Sequence, residues 1–355
     1  MSDYKGVLHE TAVRFPDTDI WMDSCGEEEL DYGLARGIVG ATSNPIIVGA
    51  VVKKELPYWE PRIRQLIAEN PSATEDEITW LLLYEVGRER SKKLLPVFEK
   101  FKGRKGRLSI QVNAKYYRSR DKMVEQAVML NTLGRNMQVK LPASAAGVEA
   151  MEEATYRGVS INATVSFTVA QAVAVAEAVE RGLARRKAEG LPCDEMAPVC
   201  TIMIGRTDDW MKAATAAEGV TVIPEALEWA GVAVIKKAYA IYKERGYTTR
   251  LLSAANRNVY HWSELVGGDL CQTINYKWQQ RLNGGCDMPV EDRIGEPVPA
   301  EYLAALEKLG EFRKSYDEDG MKPEEFVRYG GFHDTIKTFL AGYDDLVCLV
   351  RGYMI

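Results

Sequence analysis

One lysine poses the first chemical question in this sequence. Lys140 lies in Met137-Gln-Val-Lys-Leu-Pro142, where strand alternation sets Gln138 and Lys140 on one face and Met137, Val139 and Leu141 on the other. An ordinary lysine is neutral in fewer than about one molecule in a thousand at pH 7. Burial penalises the ammonium and shifts the group toward the free amine. A free amine adds to carbonyl carbons and gives a Schiff base. An interior carboxylate would instead hold the same lysine as a structural ion pair, and residue types alone leave both readings open.

Neighbouring runs repeat the pattern. Ser109, Gln111 and Asn113 oppose Ile110 and Val112, while Ser160, Asn162, Thr164 and Ser166 oppose Ile161, Ala163 and Val165. Each unpaired buried polar group costs about 1–3 kcal/mol. An interior polar column is therefore costly unless a site uses it, or unless its members satisfy one another around trapped water.

Other chemistries fit poorly. Three histidines (His9, His261, His333) are scattered without metal-ligand spacing, so no metal and no cofactor are expected. His261, in Val-Tyr-His-Trp, reads as a surface residue at a helix start. Cysteines 25, 193, 200, 271, 286 and 348 form no C-x-x-C, and neither G-x-S-x-G nor a P-loop occurs. Among 355 residues, 45 Lys+Arg against 51 Asp+Glu leave a net charge of −6, with no long basic run, which argues against a nucleic-acid partner. Met1–Phe15 carries Asp3, Lys5, Glu10 and Arg14 and does not read as a signal peptide, so a cytoplasmic protein with reduced thiols is expected. Gly158–Ala176 is uncharged and long enough to span a bilayer. Its Ser, Asn, Thr and Gln content reads instead as a strand followed by a helix, so no membrane association is expected.

The elements that must position these groups follow a regular order. Short β-rich runs occur at Thr18–Asp23, Ile38–Ser43, Arg107–Asn113, Asn136–Leu141, Ser160–Phe167, Val199–Arg206, Thr249–Asn256 and Leu270–Asn275. Amphipathic segments such as Arg120–Asn131, Gly147–Arg157, Ala170–Glu189 and Glu225–Arg245 lie between them. Eight strands alternating with helices predict a (β/α)8 TIM barrel. An open doubly wound sheet would need a Gly-rich phosphate turn after an early strand, and none is present. In a helix-ringed barrel the apolar strand faces look outward, which turns the polar faces inward. The barrel is expected over residues 1–283. A helical insertion at 57–102 follows the second strand and includes Glu75–Lys93. Past the Gly/Pro-rich 284–299, the extension over 284–355 is expected to hold helices at Ala300–Tyr316, Lys322–Tyr329 and His333–Gly342.

Six blocks in order resemble those of transaldolases. They are Gly40-Ala-Thr-Ser-Asn-Pro45, Val139-Lys-Leu-Pro-Ala-Ser144, Asn162-Ala-Thr164 followed by Phe167 and Gln171, Gly205-Arg-Thr-Asp-Asp-Trp210, Leu252-Ser-Ala-Ala-Asn-Arg-Asn258 and Gly268-Asp-Leu-Cys-Gln-Thr-Ile274. The resemblance spans roughly residues 18–282 and extends to the related fructose 6-phosphate aldolases. It implies metal-independent class I aldol chemistry, moving a dihydroxyacetone unit from a ketose phosphate to an aldose phosphate, as in the pentose phosphate pathway. Lys140 falls at the Schiff-base position and Asp23 at the carboxylate that takes the proton of the C4 hydroxyl. Asn44 matches the amide holding the dihydroxyacetone hydroxyls. Asn162 and Thr164 fall on the strand whose threonine helps bind the catalytic water, and Thr201 matches a hydroxyl near the substrate. Arg206 and Arg257 match the pair that binds the distal phosphate. Sugar phosphates are thus the implied partners, with a homodimer left open.

The sequence departs from the family at three positions. Gln111 stands where transaldolases usually carry a water-activating glutamate. The fructose 6-phosphate aldolases have Gln there, paired with a tyrosine on the sixth strand, where this chain has Met203. Ala255 replaces a frequent serine of the phosphate site. The alternatives are a same-fold lyase releasing free dihydroxyacetone or acting on an unusual anionic sugar such as a sulfosugar, and a non-catalytic sugar-phosphate-binding barrel.

Overall fold

The computed structural model describes residues 4–355. Eight parallel strands close into a barrel in sequence order: β1 (Thr18–Met22), β2 (Gly40–Thr42), β3 (Arg107–Gln111), β4 (Met137–Pro142), β5 (Ile161–Thr164), β6 (Val199–Ile202), β7 (Arg250–Ser253) and β8 (Leu270–Ile274), with β8 pairing β1. This is the expected (β/α)8 barrel. Most strands are shorter than the apolar–polar alternation suggested, because the chain leaves the sheet soon after its inward-facing residues and turns into the loops of the C-terminal face. Arg206, for example, lies in the first turn of the helix Ile204–Glu218 rather than at a strand end.

Alternation sorts the side chains into two environments. Ile20 and Met22 of β1 pack outward with helix residues such as Leu30, Val48 and Ile63. Trp21 points the other way and joins Val199, Leu252, Ala254 and Cys271 in an apolar cluster drawn from β1, β6, β7 and β8. These side chains make that part of the barrel interior apolar. Gly40 makes room for Trp21, since a Cβ there would sit 2.4 Å from the Trp21 ring.

On the other side the barrel wall is polar and hydrogen-bonded. Ser109 Oγ donates to Gln138 Oε1 (2.9 Å), Asn162 Nδ2 donates to Ser109 Oγ (3.0 Å), and Thr201 Oγ1 donates to Asn162 Oδ1 (2.7 Å). This layer of the polar column satisfies itself. Lys140 sits in register with Gln111 on β3 and Asn162 on β5.

After β2, helices Pro45–Lys54, Leu56–Glu69, Glu75–Lys92 and Leu95–Lys100 form the helical excursion. Past residue 283 the helix expected over Ala300–Tyr316 breaks into Ala300–Leu306 and Gly310–Tyr316, and Pro323–Arg328 winds as a 3₁₀ helix. The last helix is far longer than its expected core, running from Gly330 to Met354. Ile336, Phe339, Tyr343, Leu346, Val347 and Val350 are buried along it at helical spacing. Tyr343, Leu346, Val347 and Val350 share one apolar cluster with Val48 and Val51 of the Pro45–Lys54 helix, which draws this helix across the barrel face that carries the site. Gly158–Ala176 resolves into β5 and the start of the helix Val169–Ala188, and no helix among the described residues is long and apolar enough to cross a membrane.

Candidate active site

A cavity of about 170 Å³ opens at the C-terminal ends of the strands, the face on which such barrels carry their sites. Its wall includes Asp23, Asn44, Lys140, Thr164, Thr201, Arg206 and Arg257, seven of the nine positions singled out in the sequence. Gln111 and Asn162 are not on that wall. Asn162 has both amide ends engaged in the polar layer described above, whereas the Gln111 side chain is buried with neither its oxygen nor its nitrogen partnered.

Lys140 is only 5% exposed, and its Nζ donates to the Ser43 carbonyl at 3.2 Å. Burial pulls its pKa down to about 8, against the opposing attraction of Asp23. At pH 7 that leaves about one lysine in ten as free amine, roughly 300 times the share of an unperturbed side chain. Asp23 follows β1 with its backbone N–H on the Ile274 carbonyl (3.1 Å). Its Oδ1 accepts from Thr42 Oγ1 at 2.6 Å, and Thr42 in turn meets Thr273 Oγ1 at 2.7 Å. Burial raises the Asp23 pKa, with Lys140, Thr42 and Arg206 resisting. A carboxylate raised in this way is a better proton acceptor than an exposed one.

Asn44 lies just past β2 and caps the helix Pro45–Lys54, its Oδ1 accepting from Ile47 N at 3.0 Å. That cap commits the oxygen and leaves the amide nitrogen for a ligand. Thr164 is fully buried with an unpartnered hydroxyl, and the next residue, Val165, is held at φ 52 in the left-handed region. A β-branched residue there is strained, so the backbone turn after β5 is imposed by its surroundings.

The two arginines sit differently. Arg257 is exposed and bound twice to Asp209, with Nε at 3.0 Å and Nη2 at 2.8 Å. Arg206 is half-buried, stacks over Phe339 at 5.9 Å and makes one long bond, Nη1 to Thr335 Oγ1 at 3.4 Å. Among the described residues no carboxylate lies within ion-pair distance of it. Burial and the neighbouring Arg257 both hold its pKa below the usual value. The two guanidinium groups lie side by side on the cavity wall, Arg206 without a carboxylate in ion-pair distance, and their planar forks can hold an anion. Gly205 permits this geometry, because a Cβ there would lie 1.7 Å from the Ala255 carbonyl oxygen.

Sequence reasoning missed part of the wall. Thr42, Thr273 and Asn275 complete the β1–β2–β8 side, and Phe339 comes from the C-terminal helix. Nothing local marks Phe339 or Thr335 as site residues, since their role depends on where the last helix docks. Met203 and Ala255 do reach the cavity, at the positions where the sequence departs from the family. A correction concerns His261. It begins the short helix Tyr260–Ser263, as expected, but it is fully buried rather than on the surface, because its ring is drawn inward onto the equally buried Asp208. Among the described residues, no group of three or more His, Cys, Asp or Glu side chains is placed to hold a metal ion.

The mouth of the barrel thus gathers an interior lysine of lowered pKa, a carboxylate of raised pKa and a pair of guanidinium groups. Comparison with known proteins gives the family. The profile described as Transaldolase/Fructose-6-phosphate aldolase matches residues 20–325, and the chain belongs to that family. A transaldolase of Thiobacillus denitrificans is 30% identical over 331 residues, covering 88% of each chain. Transaldolase 1 of Streptomyces avermitilis is 26% identical over 361 residues, covering 91% of this chain and 93% of its own. A transaldolase of Mycolicibacterium smegmatis is 28% identical over 233 residues, covering 63% of this chain and 62% of its own.

Proposed function

We propose that this chain is a transaldolase that moves a dihydroxyacetone unit from a ketose phosphate to an aldose phosphate through a Schiff base on Lys140. The observation that carries the reading is the buried Lys140 amine, pulled down to about 8, in one cavity with Asp23 and the unpaired Arg206.

The steps follow from these groups. The neutral Lys140 amine adds to the C2 carbonyl, and loss of water leaves a protonated imine. Asp23 takes the proton of the C4 hydroxyl as the C3–C4 bond breaks. The bonding pair passes into the imine as an enamine, and an aldehyde departs. An acceptor aldehyde then receives that pair at its carbonyl carbon, and Asp23 returns the proton to the new hydroxyl. Water finally hydrolyses the imine and frees Lys140. Asn44 holds the dihydroxyacetone hydroxyls, Thr164 and Thr201 hold water and substrate near the imine, and Arg206 with Arg257 binds the phosphate. Asn162 acts by fixing Thr201 rather than by touching substrate, which its two hydrogen bonds support. No metal or cofactor enters these steps, and the setting is cytoplasmic sugar-phosphate metabolism.

One observation favours a second reading. The amide of Gln111 is buried, unpartnered and in register with Lys140, and an amide orients water without accepting its proton. The related fructose 6-phosphate aldolases carry Gln at the same position, and that likeness supports a lyase that releases free dihydroxyacetone. Supplying fructose 6-phosphate with and without erythrose 4-phosphate separates the two. Release of glyceraldehyde 3-phosphate that needs the acceptor supports the transferase, and release without it, with free dihydroxyacetone accumulating, supports the lyase.

A further inference from the structure

Behind the arginine pair lies a buried dyad that the aldol chemistry does not use. Asp208 and His261 are both fully buried, with Asp208 Oδ2 and His261 Nε2 2.7 Å apart. Asp208 belongs to the first turns of the helix that carries Arg206 and Asp209, and its Oδ1 accepts from Gly231 N at 2.8 Å. On the other side of the imidazole, the backbone N–H of Arg257 donates to His261 Nδ1 at 3.1 Å. Asn258 closes the cluster, its Oδ1 accepting from His261 N at 3.3 Å and its Nδ2 donating to Glu228 Oε2 at 2.9 Å.

The imidazole tautomer follows from the bond at Nδ1: Asn258 Nδ2 also lies 3.3 Å from His261 Nε2, but that amide already donates to the Glu228 carbonyl at 3.0 Å and to Glu228 Oε2 at 2.9 Å. A backbone N–H is always a donor, so His261 Nδ1 must be bare. A neutral imidazole then carries its proton on Nε2, where it donates to the Asp208 carboxylate. If Nδ1 bore a proton, in the other tautomer or in the imidazolium, two donors would face each other and the Arg257 backbone would lose its anchor. The segment it anchors is strained, since Ala255 is held at φ 66. Asp209 grips the guanidinium of Arg257 while Asp208 acts through His261 on its main chain, so consecutive aspartates fix both parts of one residue.

The geometry points to Asp208 and His261 as positioning residues that hold Arg257 against the anionic end of the substrate. This assignment rests on the anion-binding role proposed above for Arg257. It separates two amide replacements of His261. His261→Asn places an oxygen near the Nδ1 position and keeps an acceptor for Arg257 N–H. His261→Gln places its polar atoms near Nε2, keeps contact with Asp208 and abandons Arg257. Asp208→Asn offers an amide to the ring and allows the wrong tautomer.

The test has two arms. With three histidines in the chain, ¹⁵N-histidine NMR of the unmodified protein resolves the His261 tautomer. Protonated Nε2 with bare Nδ1 is expected, and a protonated Nδ1 at neutral pH overturns the inference. In steady-state kinetics, His261→Gln and Asp208→Asn should raise KM for fructose 6-phosphate about ten-fold or more, with kcat and the kinetics on unphosphorylated fructose little changed. His261→Asn should restore KM toward the unmodified value. Equal losses on both sugars, or a His261→Asn variant as poor as His261→Gln, would show a merely structural dyad. Arg257→Ala is the control. If it leaves KM for the phosphorylated sugar unchanged, the anion-site reading fails, and the purpose assigned to the dyad fails with it, whichever tautomer is found.

Discussion

Replacing Asp23 by asparagine should separate imine formation from carbon–carbon cleavage, because the structure gives Asp23 opposite effects on the two. Its charge holds the Lys140 ammonium in place against burial, so without it burial acts unopposed and the Lys140 pKa falls below about 8. The free-amine share at pH 7 then rises from about one tenth toward unity, a gain in imine formation of at most about ten-fold. Cleavage of a ketose phosphate needs a base for the C4 hydroxyl proton, and an amide cannot serve, so cleavage should fall by about 10²–10⁴-fold. The local fold should hold, since the Asp23 backbone N–H is anchored on Ile274 and an amide oxygen still accepts from Thr42. The assay pairs reductive trapping of dihydroxyacetone, read by intact mass across pH 6–9, with a coupled assay of fructose 6-phosphate cleavage. The expected result is trapping that survives with its midpoint moved to lower pH, alongside cleavage that collapses. Loss of both in proportion, or a trapping midpoint moved to higher pH, would refute the electrostatic role given to Asp23.

Gln111→Glu puts a carboxyl into a buried, unpartnered slot beside Lys140, and turnover with fructose 6-phosphate and erythrose 4-phosphate should rise about ten-fold or more with an altered pH profile. No change in rate, profile or product partition would mean that position 111 does not reach the catalytic water. Arg206→Ala removes a half-buried charge with no carboxylate in ion-pair distance and should weaken binding of phosphorylated sugars by at least tens-fold, while uncharged ketoses bind as before; equal losses on both would assign Arg206 to structure. Incubation with a strong chelator should leave the rate untouched, because the lysine supplies the electrophilic activation, and a loss restored by zinc would contradict the class I reading.

The barrel was legible because its strands alternate so regularly that inward and outward faces can be assigned from residue type. Lys140 stood out for the same reason, being charged at an inward position between apolar neighbours. The alternation overran the strand ends, where sheet gives way to the loops that carry Asn44 and Arg257 and to the helix turn that carries Arg206, and only the resemblance to known blocks marked those residues. Contacts between segments far apart in sequence left no local trace. Phe339 and Thr335 reach the site through docking of the last helix, Thr273 through barrel closure, and Asp208 meets His261 across 53 residues of chain. Asn162 is marked in the sequence only as a polar residue on the inward face beside Thr164, and its partners Ser109 and Thr201 come from other strands of the closed barrel.

The central claim is a covalent bond between Lys140 and a ketose, and reductive trapping tests it most directly. Borohydride added with fructose 6-phosphate should leave one dihydroxyacetone-derived adduct per chain, and peptide mass spectrometry should place it on Lys140. Trapping should grow as pH rises toward about 8, where the amine becomes free. Lys140→Arg should abolish both adduct and turnover. An adduct on another lysine, or full aldol activity in Lys140→Arg, would contradict the account.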